Sequence, residues 1–360
     1  MLSDEILNNI KNQNFCRIRG DIKLTKTASN YSDVLLSRDC DLEQLTHDWI
    51  KSRIQSVKIF ERYKQYDNAL DNYSWPQHYP VRILTGLGSA CSGKNIFMFF
   101  PYVLNQSPKN ESEVFGLEFI DIWSNIFNTT IFSIANRVFT KETVLQFFSL
   151  QKNLEKTIFL ASIFHEIGHR CGPYKVSPHL NPQLSLLPHY VDIMGELSTD
   201  SLLIKNLKEF PEILHFVFLQ RLFWFGRKGF KYDPVSADIN TDNDTWIGSL
   251  IWQQAIESQA LVDVNGRYQV DFDLLKKIFD QIVLEIDSLK LDTYPANEQN
   301  SVVRLWMKSK VPNQNGVFIL PDSFKKVLEN LQDFEEIPHF KMPYSYNYIN
   351  DLSGALQNEK

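Results

Sequence analysis

Two histidines four residues apart, with a glutamate directly after the first, most constrain what this chain can fold into. His165, Glu166 and His169 form an H-E-x-x-H arrangement. In a helix, residues i and i+4 lie only about 40° apart around the axis, so both imidazoles can reach one metal ion. Glu166, about 100° from His165, can hold a water at the metal's open position without being a ligand. The pattern therefore predicts a metal site on a helix.

The residues around the motif predict the helix that this geometry requires. Residues 154–168 contain no proline, and apolar residues cover most of the circumference, as in a buried helix. Gly172 and Pro173 follow at once. Glycine suits a C-terminal cap, and proline cannot continue a helix. The motif is therefore expected in the last turns of a buried helix.

A second, acidic pattern offers a third metal ligand, which the histidine motif lacks. Glu196 and Asp200 form an E-x-x-x-D pair in a second predicted helix, residues 191–207, and the spacing puts both on one face. A catalytic zinc site takes three protein ligands, so Glu196 is predicted to join His165 and His169. Asp200, one turn further on, is placed to hold the second ring nitrogen of a ligating histidine.

The runs that carry both patterns resemble one known family. HEIGHRCGP and GELSTD are similar to the zinc-binding segments of the dipeptidyl peptidase III family of metallopeptidases and its shorter bacterial relatives. Residues 260–289 and 320–338 resemble segments of the shorter relatives as well. The resemblance is patchy and covers about residues 150–340. It implies a gluzincin-type zinc peptidase with one Zn²⁺ per chain, held by the three predicted ligands.

Two departures from that family bear on its activity. Family members often carry an extra residue inside the histidine motif, where this chain has the five-residue form. They also place a histidine well after the acidic motif to stabilise the reacting carbonyl. Here the one histidine between Glu196 and Pro338 is His215, which lies in an apolar run and is predicted to be a core residue.

The group that would stabilise the oxyanion is left open by the sequence. A donor within about 3 Å of the developing charge is needed, and a long loop beside a metal site is usually functional. Candidate donors lie between the two metal-binding segments: Tyr174, His179, His189 and Tyr190. His78 and Tyr79, in a proline-rich aromatic stretch, are candidates for substrate contact.

These observations predict a hydrolase that cleaves a peptide or related amide bond with metal-activated water. Zinc lowers the pKa of its water to about 7, and Glu166 would take the proton and deliver it to the leaving amine. The resemblance implies an exopeptidase that releases short N-terminal pieces. The departures leave a specialised non-peptidase amide hydrolase as an alternative.

Two further classes stay open. Glu166-x-x-His169 also fits half of a di-iron carboxylate site, which would make the chain a non-heme di-iron oxidative enzyme. A matching second pair is missing, because Glu196 is followed by Asp200 and not by a histidine at i+3. The other class is a non-catalytic protein that keeps zinc for structure, although such sites usually have four ligands and favour cysteine.

Composition bounds the remaining possibilities. A chain of 360 residues with 43% hydrophobic residues can bury a large core and is not disordered. The net charge of -6 provides no basic surface, so no nucleic-acid partner is predicted. No apolar run approaches the roughly 18 residues of a membrane span, and no signal-peptide core is visible. Four scattered cysteines are typical of reduced thiols, so a cytoplasmic protein is expected.

The expected fold is mainly α with a small β element (α+β), zincin-like, with two lobes around a cleft. We predict three regions: a mixed helix and β-hairpin region at 1–112, a catalytic helical region at 113–230, and a helical region at 231–360. The first 80 residues are expected to alternate helices and polar connections. Within the first region, we predict a helix at 42–66, an aromatic turn at 73–80 and a hairpin of two strands at 81–101.

The later elements are expected to be mostly helices. A short hairpin is predicted at Asn265-Gly266, a pair that favours a primed turn. The final helix is expected to be capped by Asp322 or Ser323. The predicted helices cover residues 113–150, 206–225, 247–261, 272–289 and 322–334.

Overall fold

The fold is mainly helical with small β-sheets, as the sequence predicted. A computed structural model describes residues 2–25, 28–66, 78–88, 98–99, 116–171, 183–227, 242–315, 317–334 and 341–344. The predicted region boundaries, near residues 112 and 230, lie outside these ranges and stay predictions, as does the two-lobed shape. In the described ranges, no helix is both long and apolar enough to cross a membrane.

The largest sheet is built from the N-terminal third of the chain. Its strands are β1 (Phe15–Thr25), β2 (Ala28–Arg38), β3 (His78–Gly88), β4 (Met98–Phe99) and β5 (Gly116–Phe119), in the order β1-β2-β3-β5-β4. Neighbouring strands are antiparallel except β3 and β5, which are parallel. Val34, Leu36, Val81 and Ile83 are fully buried in the main apolar core. Leu35, between the first two, is also buried at 1% exposure, so both faces of β2 are covered.

The sheet corrects three sequence predictions. β1 and β2 occupy a stretch that was expected to be helical, because pairing between strands decides the structure there. β5 lies between β3 and β4, so the hairpin predicted at 81–101 is wrong. His78 and Tyr79 are buried in β3 and not exposed in a turn. The remaining residues of that turn and of the strand junction lie outside the described residues.

Short helices alternate with the strands of this sheet along the chain and follow them. They are α1 (Leu2–Asn12), α2 (Cys40–Arg53), α3 (Ser56–Lys64), α4 (Ile120–Ile126), α5 (Phe132–Val138), α6 (Lys141–Gln146) and α7 (Phe148–Lys152). The single helix predicted at 42–66 is divided, because Ile54 has an extended backbone with φ −157° and ψ 146°. A π-helical turn, Phe127–Ile131, joins α4 to α5.

Three longer helices form the centre of the molecule. They are α8 (Leu154–Cys171), α9 (Pro188–Asn206) and α10 (Pro211–Gln220), and α10 continues into a π-helical segment, Arg221–Phe225. α8 and α9 lie within three residues of their predicted bounds. Proline suits the first turn of α9 because its missing N–H has no helical partner there.

The C-terminal part is helical with two small hairpins. Its elements are α11 (Asn243–Glu257), β6 (Leu261–Val264), β7 (Arg267–Val270), α12 (Phe272–Ser288), a 3₁₀ turn (Leu291–Thr293), α13 (Ala296–Lys308), β8 (Asn313–Gln314), β9 (Val317–Phe318) and α14 (Asp322–Glu329). The Asn265-Gly266 turn is confirmed, with φ of 56° and 81°. The predicted cap of α14 is wrong, since Pro321 precedes it and no side chain caps it.

One apolar core connects these elements. Buried side chains from Ile6 to Leu331 form a single cluster. α8 runs through it and contacts α2, α3, α4, α9 and α10. The core therefore fixes α8 from several sides and leaves its C-terminal turns to carry polar groups.

Candidate metal centre

Helix α8 presents the histidine motif at the edge of the core. Apolar side chains upstream of the motif, such as Phe159 and Ile163, are buried. The side chains of His165 and His169 keep 20% and 18% of their surface exposed. The helix is anchored by Tyr63, whose hydroxyl donates to the carbonyl oxygen of Phe164 at 3.3 Å. The motif is therefore rigidly supported and still accessible.

A glycine within the motif brings α8 and α9 close together. A Cβ atom on Gly168 would lie 2.8 Å from Thr199 Cγ2 and 3.3 Å from Thr199 Cα. These distances are too short for any larger residue unless one helix moves. The close approach places the acidic residues of α9 beside the histidines of α8.

Three donor atoms converge where the two helices meet. His165 Nε2 lies 3.0 Å from His169 Nε2. The two carboxylate oxygens of Glu196 each approach one ring: Oε2 lies 3.3 Å from His165 Nε2, and Oε1 lies 3.4 Å from His169 Nε2. Among the described residues, these three form the group of histidine, cysteine and acidic side chains whose geometry could hold a metal ion.

The spacing of these atoms fits a tetrahedral metal. Ligands about 2.0–2.1 Å from a tetrahedral zinc ion are separated from one another by roughly 3.3 Å. The observed separations are 3.0–3.4 Å. Two imidazole nitrogens and one carboxylate oxygen are also the donor set of many catalytic zinc sites. The residues present therefore fit one zinc ion with a coordination position left for another group.

Each histidine is held through its second nitrogen. His165 Nδ1 lies 3.1 Å from Asp200 Oδ1, and His169 Nδ1 lies 3.2 Å from Thr199 Oγ1. With Nδ1 as the donor in both rings, each Nε2 is free to bind a metal. The two outer partners are adjacent on α9, so one helix turn orients both imidazoles.

A buried arginine ties the acidic residues together. Arg221 donates from Nε to Asp200 Oδ2 at 2.5 Å and from Nη2 to Glu196 Oε2 at 2.5 Å. It also donates from Nη1 to Asp244 Oδ1 at 3.2 Å. These four groups leave two negative charges uncompensated, which suits a divalent cation beside them.

The arginine reaches the site from the π-helical segment that it begins. The N–H of Gly226 donates to the carbonyl oxygen of Arg221, the i→i+5 pattern of a π-helix. A Cβ atom on Gly226 would lie 2.7 Å from that oxygen, and the Cα of Gly248 on α11 is close by. Two glycines thus let α11, which carries Asp244, pack against this turn.

These contacts set the ionisation of the buried groups. Burial alone would lower the pKa of His165, but the carboxylates of Glu196 and Asp200 raise it to about 10. Burial would raise the pKa of Asp200, yet Arg221 and His165 hold it below its usual range. Burial opposes ionisation of Glu196 as well, and Arg221 with both histidines places its pKa well below the usual range. The two acids are therefore charged at neutral pH.

Two other predicted residues, Glu166 and His215, lie in different environments. Glu166 is half-buried on α8 and lies near enough to Glu118 of β5 to raise that residue's pKa. His215 is in the core, as predicted, with its ring centroid 4.3 Å from that of Phe272. Burial lowers the pKa of His215 to about 4.

The candidate oxyanion donors are only partly described. His189 and Tyr190 belong to the first turn of α9 and not to a loop. A cavity lies beside His165 and Glu196, and neither residue lines it. Burial lowers the pKa of His189, against the raising effect of its neighbours Asn243 and Asp192. Tyr174 and His179 lie outside the described residues. Their role stays a prediction.

Sequence reasoning missed two residues of this centre. Thr199 lies inside the E-x-x-x-D pattern, three residues after Glu196, and is the partner of His169. Arg221 is a single cation in a strongly apolar helical run, a costly placement that signals buried acidic partners. The signal for Arg221 was available in the sequence. The role of Thr199 was not, because it depends on which face of α9 meets α8.

Comparison with known structures identifies a similar fold, whereas comparison of sequences identifies no family. No family model matches the chain, and no curated protein matches it. Among solved structures, the chain is similar to dipeptidyl-peptidase III enzymes. It therefore has a fold like that of this class of peptidase.

Two of these structures give the extent of the similarity. Dipeptidyl-peptidase III from Corallococcus sp. strain EGB matches with a TM-score of 0.57 and 14% identity, over 94% of this chain and 60% of that protein. DPP III from Caldithrix abyssi matches with a TM-score of 0.54 and 14% identity, over 94% and 61%. This chain thus spans about three fifths of the length of either protein.

Proposed function

We propose that this chain is a zinc-dependent metallohydrolase that cleaves a peptide or related amide bond. Zinc would be bound by His165, His169 and Glu196, with Glu166 as the general base. The observation that carries the proposal is the convergence of two histidine nitrogens, 3.0 Å apart, with a carboxylate whose oxygens lie 3.3 and 3.4 Å from them. Partners behind the donors, foremost Asp200, support a site built for a metal.

The residues of the chain would divide the chemical work. A bound zinc ion supplies Lewis acidity, which polarises the substrate carbonyl and makes water a better acid. Glu166 would accept the proton of the attacking water and deliver it to the leaving nitrogen. Asp200 keeps the proton of His165 on Nδ1, so that Nε2 stays available as a ligand. Arg221 holds the carboxylates of Asp200 and Glu196 in place while Glu166 transfers the proton.

A peptide is the substrate that the fold favours. Both similar structures are dipeptidyl-peptidase III enzymes, which suggests removal of short N-terminal pieces here. β4 is the last strand of the described sheet, so an extended peptide could pair with its outer side. A specialised amide hydrolase is the second candidate. The catalytic role of residues 113–230, a cytoplasmic location and the absence of nucleic-acid partners stay predictions from the sequence.

The oxidative and structural alternatives have less support. A di-iron site needs two E-x-x-H pairs and two more glutamates, whereas the described residues offer one group of two histidines and one glutamate. A structural zinc site usually has four ligands, with cysteine favoured. The described group has three ligands and no cysteine.

Metal content tests the site directly. We expect about one zinc per wild-type chain by plasma mass spectrometry and a sharp decrease in Glu196→Ala, because a three-ligand site loses its carboxylate. Glu329→Ala is the matched control, since this exposed acid on α14 is not part of the ligand group. Two irons per chain would favour the oxidative alternative. No metal in the wild type would contradict the proposal.

Turnover tests the chemistry. Peptides with free and with blocked N-termini would be incubated with the zinc-loaded protein, and products would be identified by mass spectrometry. Glu166→Gln should retain zinc and lose roughly 10²–10⁴-fold in turnover, since the amide cannot accept the proton. His169→Ala should lose both zinc and turnover. A Glu166→Gln variant as active as the wild type would show that the general base lies elsewhere.

A further inference from the structure

A cavity of about 230 Å³ adjoins the candidate metal centre on the side of His165. It lies between β5, α4, α8, α9 and α10 with the π-helical segment that follows α10. His165 and Glu196, two of the three candidate ligands, belong to its wall. A substrate held at the metal would therefore have this cavity directly beside its reacting bond.

Most of the wall is apolar, and much of it is aromatic. The ring centroid of Trp123 lies 6.2 Å from those of Phe216 and Phe225, edge to face, so the three rings form one cluster. Phe225 is partly exposed, and the other apolar side chains of the wall are buried. The apolar members are Trp123, Ala161, Leu203, Phe216, Val217 and Phe225. An apolar group that enters the cavity leaves water and gains contacts with these rings.

Apart from the two candidate metal ligands, the ionisable groups of the wall are already engaged with neighbours. The side chains of Asp200 and Arg221 are each 4% exposed and are bonded to one another. Glu118 is 1% exposed, and Ser162 and Trp123 are its hydrogen-bonding neighbours. A charged side chain placed in the cavity would therefore lose its water without an opposite charge to replace it.

The volume of the cavity sets the size of the group that fits. An engineered apolar cavity of about 150 Å³ holds benzene. At about 230 Å³, this cavity can hold the side chain of a leucine or a phenylalanine. The methyl group of an alanine would leave most of it empty, so the contacts that a larger side chain makes with the wall would be lost.

We propose that this cavity is the specificity subsite of the metal centre and takes a large apolar side chain, leucine or phenylalanine, from a residue that flanks the cleaved bond. The assignment to a peptide rests on the proposed hydrolase function. The recognition itself, an uncharged apolar group against an aromatic wall, belongs to the cavity and can be measured without turnover.

Two probes of the same shape test whether the cavity selects an uncharged group. Toluene and the permanently charged N-methylpyridinium ion would be titrated into the zinc-loaded, full-length protein and followed by ligand-observed NMR. Toluene should bind saturably and at least about 10-fold more tightly, because the cation must lose its water on entry. Absence of saturable toluene binding, or equal or tighter binding of N-methylpyridinium, would overturn the proposal.

Filling the cavity shows where the probe binds. Leu203→Phe, from α9, and Ala161→Leu, from α8, each add volume inside the wall and should abolish toluene binding. Leu145→Phe makes the first of these changes on α6, where the side chain is 64% exposed, and should leave toluene binding unchanged. Zinc content and thermal unfolding close to those of the wild type would show that a variant is folded. Toluene binding that persists in a folded, filled variant would overturn the subsite.

Peptide cleavage tests the cavity as part of the proposed hydrolase. The residue on each side of the cleaved bond would be varied in turn. On one side, leucine and phenylalanine should give a kcat/KM about 10–100-fold above that of alanine, and at least as far above that of lysine or glutamate. Leu203→Phe should shift this preference to alanine. Cleavage without such a preference would overturn the subsite and leave the hydrolase function standing, whereas saturable toluene binding without cleavage of any peptide would count against the hydrolase function alone.

Discussion

Buried ionisable groups occur in two contrasting regions of this molecule. Around α8 and α9, Asp200 and His165 are buried together with Arg221, and every one of them has an oppositely charged partner. In the apolar core around α10, His215 is packed against Phe147 and Phe272 and takes part in no ion pair among the described residues. Glu118, which lies beside the first region, is likewise buried without an ion pair in the described part of the chain. Asp200, Arg221, Glu118 and His215 are all at most 6% exposed, so burial does not distinguish them.

The difference teaches that partners decide charge. Asp200 has a lowered pKa and Glu118 a raised one, although both are almost inaccessible to water. The two histidines differ in the same way, with pKa values of about 10 for His165 and about 4 for His215. One region is thus a preorganised charged site, and the other contains a neutral histidine in an apolar core.

Removing Arg221, the cation of the charged region, should have the largest effect on the difference between the two regions. Arg221→Met would leave the buried Asp200 and the partly exposed Glu196 without their cation, so the free energy of unfolding should fall by about 3–5 kcal/mol. Urea unfolding of the metal-free protein would measure it. Zinc affinity should also fall by roughly 10–100-fold, since both carboxylates lose their orientation.

An exposed ion pair supplies the control for that substitution. Arg137 and Asp333 are paired at 2.6 Å but are 45% and 62% exposed. Arg137→Met should therefore change stability far less, because water already screens the pair. An equal loss of unfolding free energy in Arg137→Met and Arg221→Met would contradict this. It would mean that the buried acids depend on their arginine no more than the exposed Asp333 depends on its own.

The histidine buried in the apolar core should make stability depend on pH. The folded pKa of His215 is about 4 and its ordinary value is 6.5, so between these values the unfolded chain binds the proton and the folded chain does not. The stability that the neutral side chain of His215 contributes is fully present above pH 6.5 and is lost as the pH falls from there through 4. From pH 7.5 to 4.5 that loss should be roughly 2–3 kcal/mol.

Replacement of the ring isolates this contribution. His215→Phe keeps the aromatic contacts with Phe147 and Phe272 and removes the titrating group. Urea unfolding at both pH values should show that the variant loses roughly 2–3 kcal/mol less than the wild type, because all other groups titrate equally in both proteins. Identical pH dependence in the two proteins would show that His215 is partnered or accessible.

The smallest predicted effect concerns the close contact between the helices. Gly168→Ala would place a methyl group 2.8 Å from Thr199 Cγ2. Overpacking opposes the higher helix propensity of alanine, and a net loss of roughly 1–2 kcal/mol is expected from thermal or urea unfolding. Adding Thr199→Ser should recover part of it, since serine lacks the methyl group but retains the hydroxyl near His169. A stabilised Gly168→Ala protein would show that α9 can move away without cost.

The helical part of the fold and the convergence of the candidate metal ligands were accessible to sequence reasoning because their signals are local. His165 and His169 lie one helical turn apart, and the same spacing joins Glu196 to Asp200. α8 and α9 are long and apolar, so their positions were predicted to within three residues. The likeness to dipeptidyl-peptidase III folds agrees with the family resemblance of those segments.

The features that were missed depend on residues far apart in the chain. β5 pairs with β3 in parallel, and no local pattern indicates that it separates β3 from β4. Arg221 lies 21 residues beyond Asp200, and its contact depends on how the helix that carries it is wound. Glu118 looks like an ordinary polar strand residue until its neighbours are known.

The π-helical segment has a consequence for comparing this chain with others. Arg221–Phe225 contains one residue more than the same length of α-helix would, and it follows α10 without interruption. One residue corresponds to about 100° around a helix axis. An alignment against an unbroken α-helix must therefore open a one-residue gap here, or it will set against Arg221 a residue that faces away from Asp200. Insertions and deletions, more than substitutions, would be the changes that disconnect this arginine from the acids that it holds.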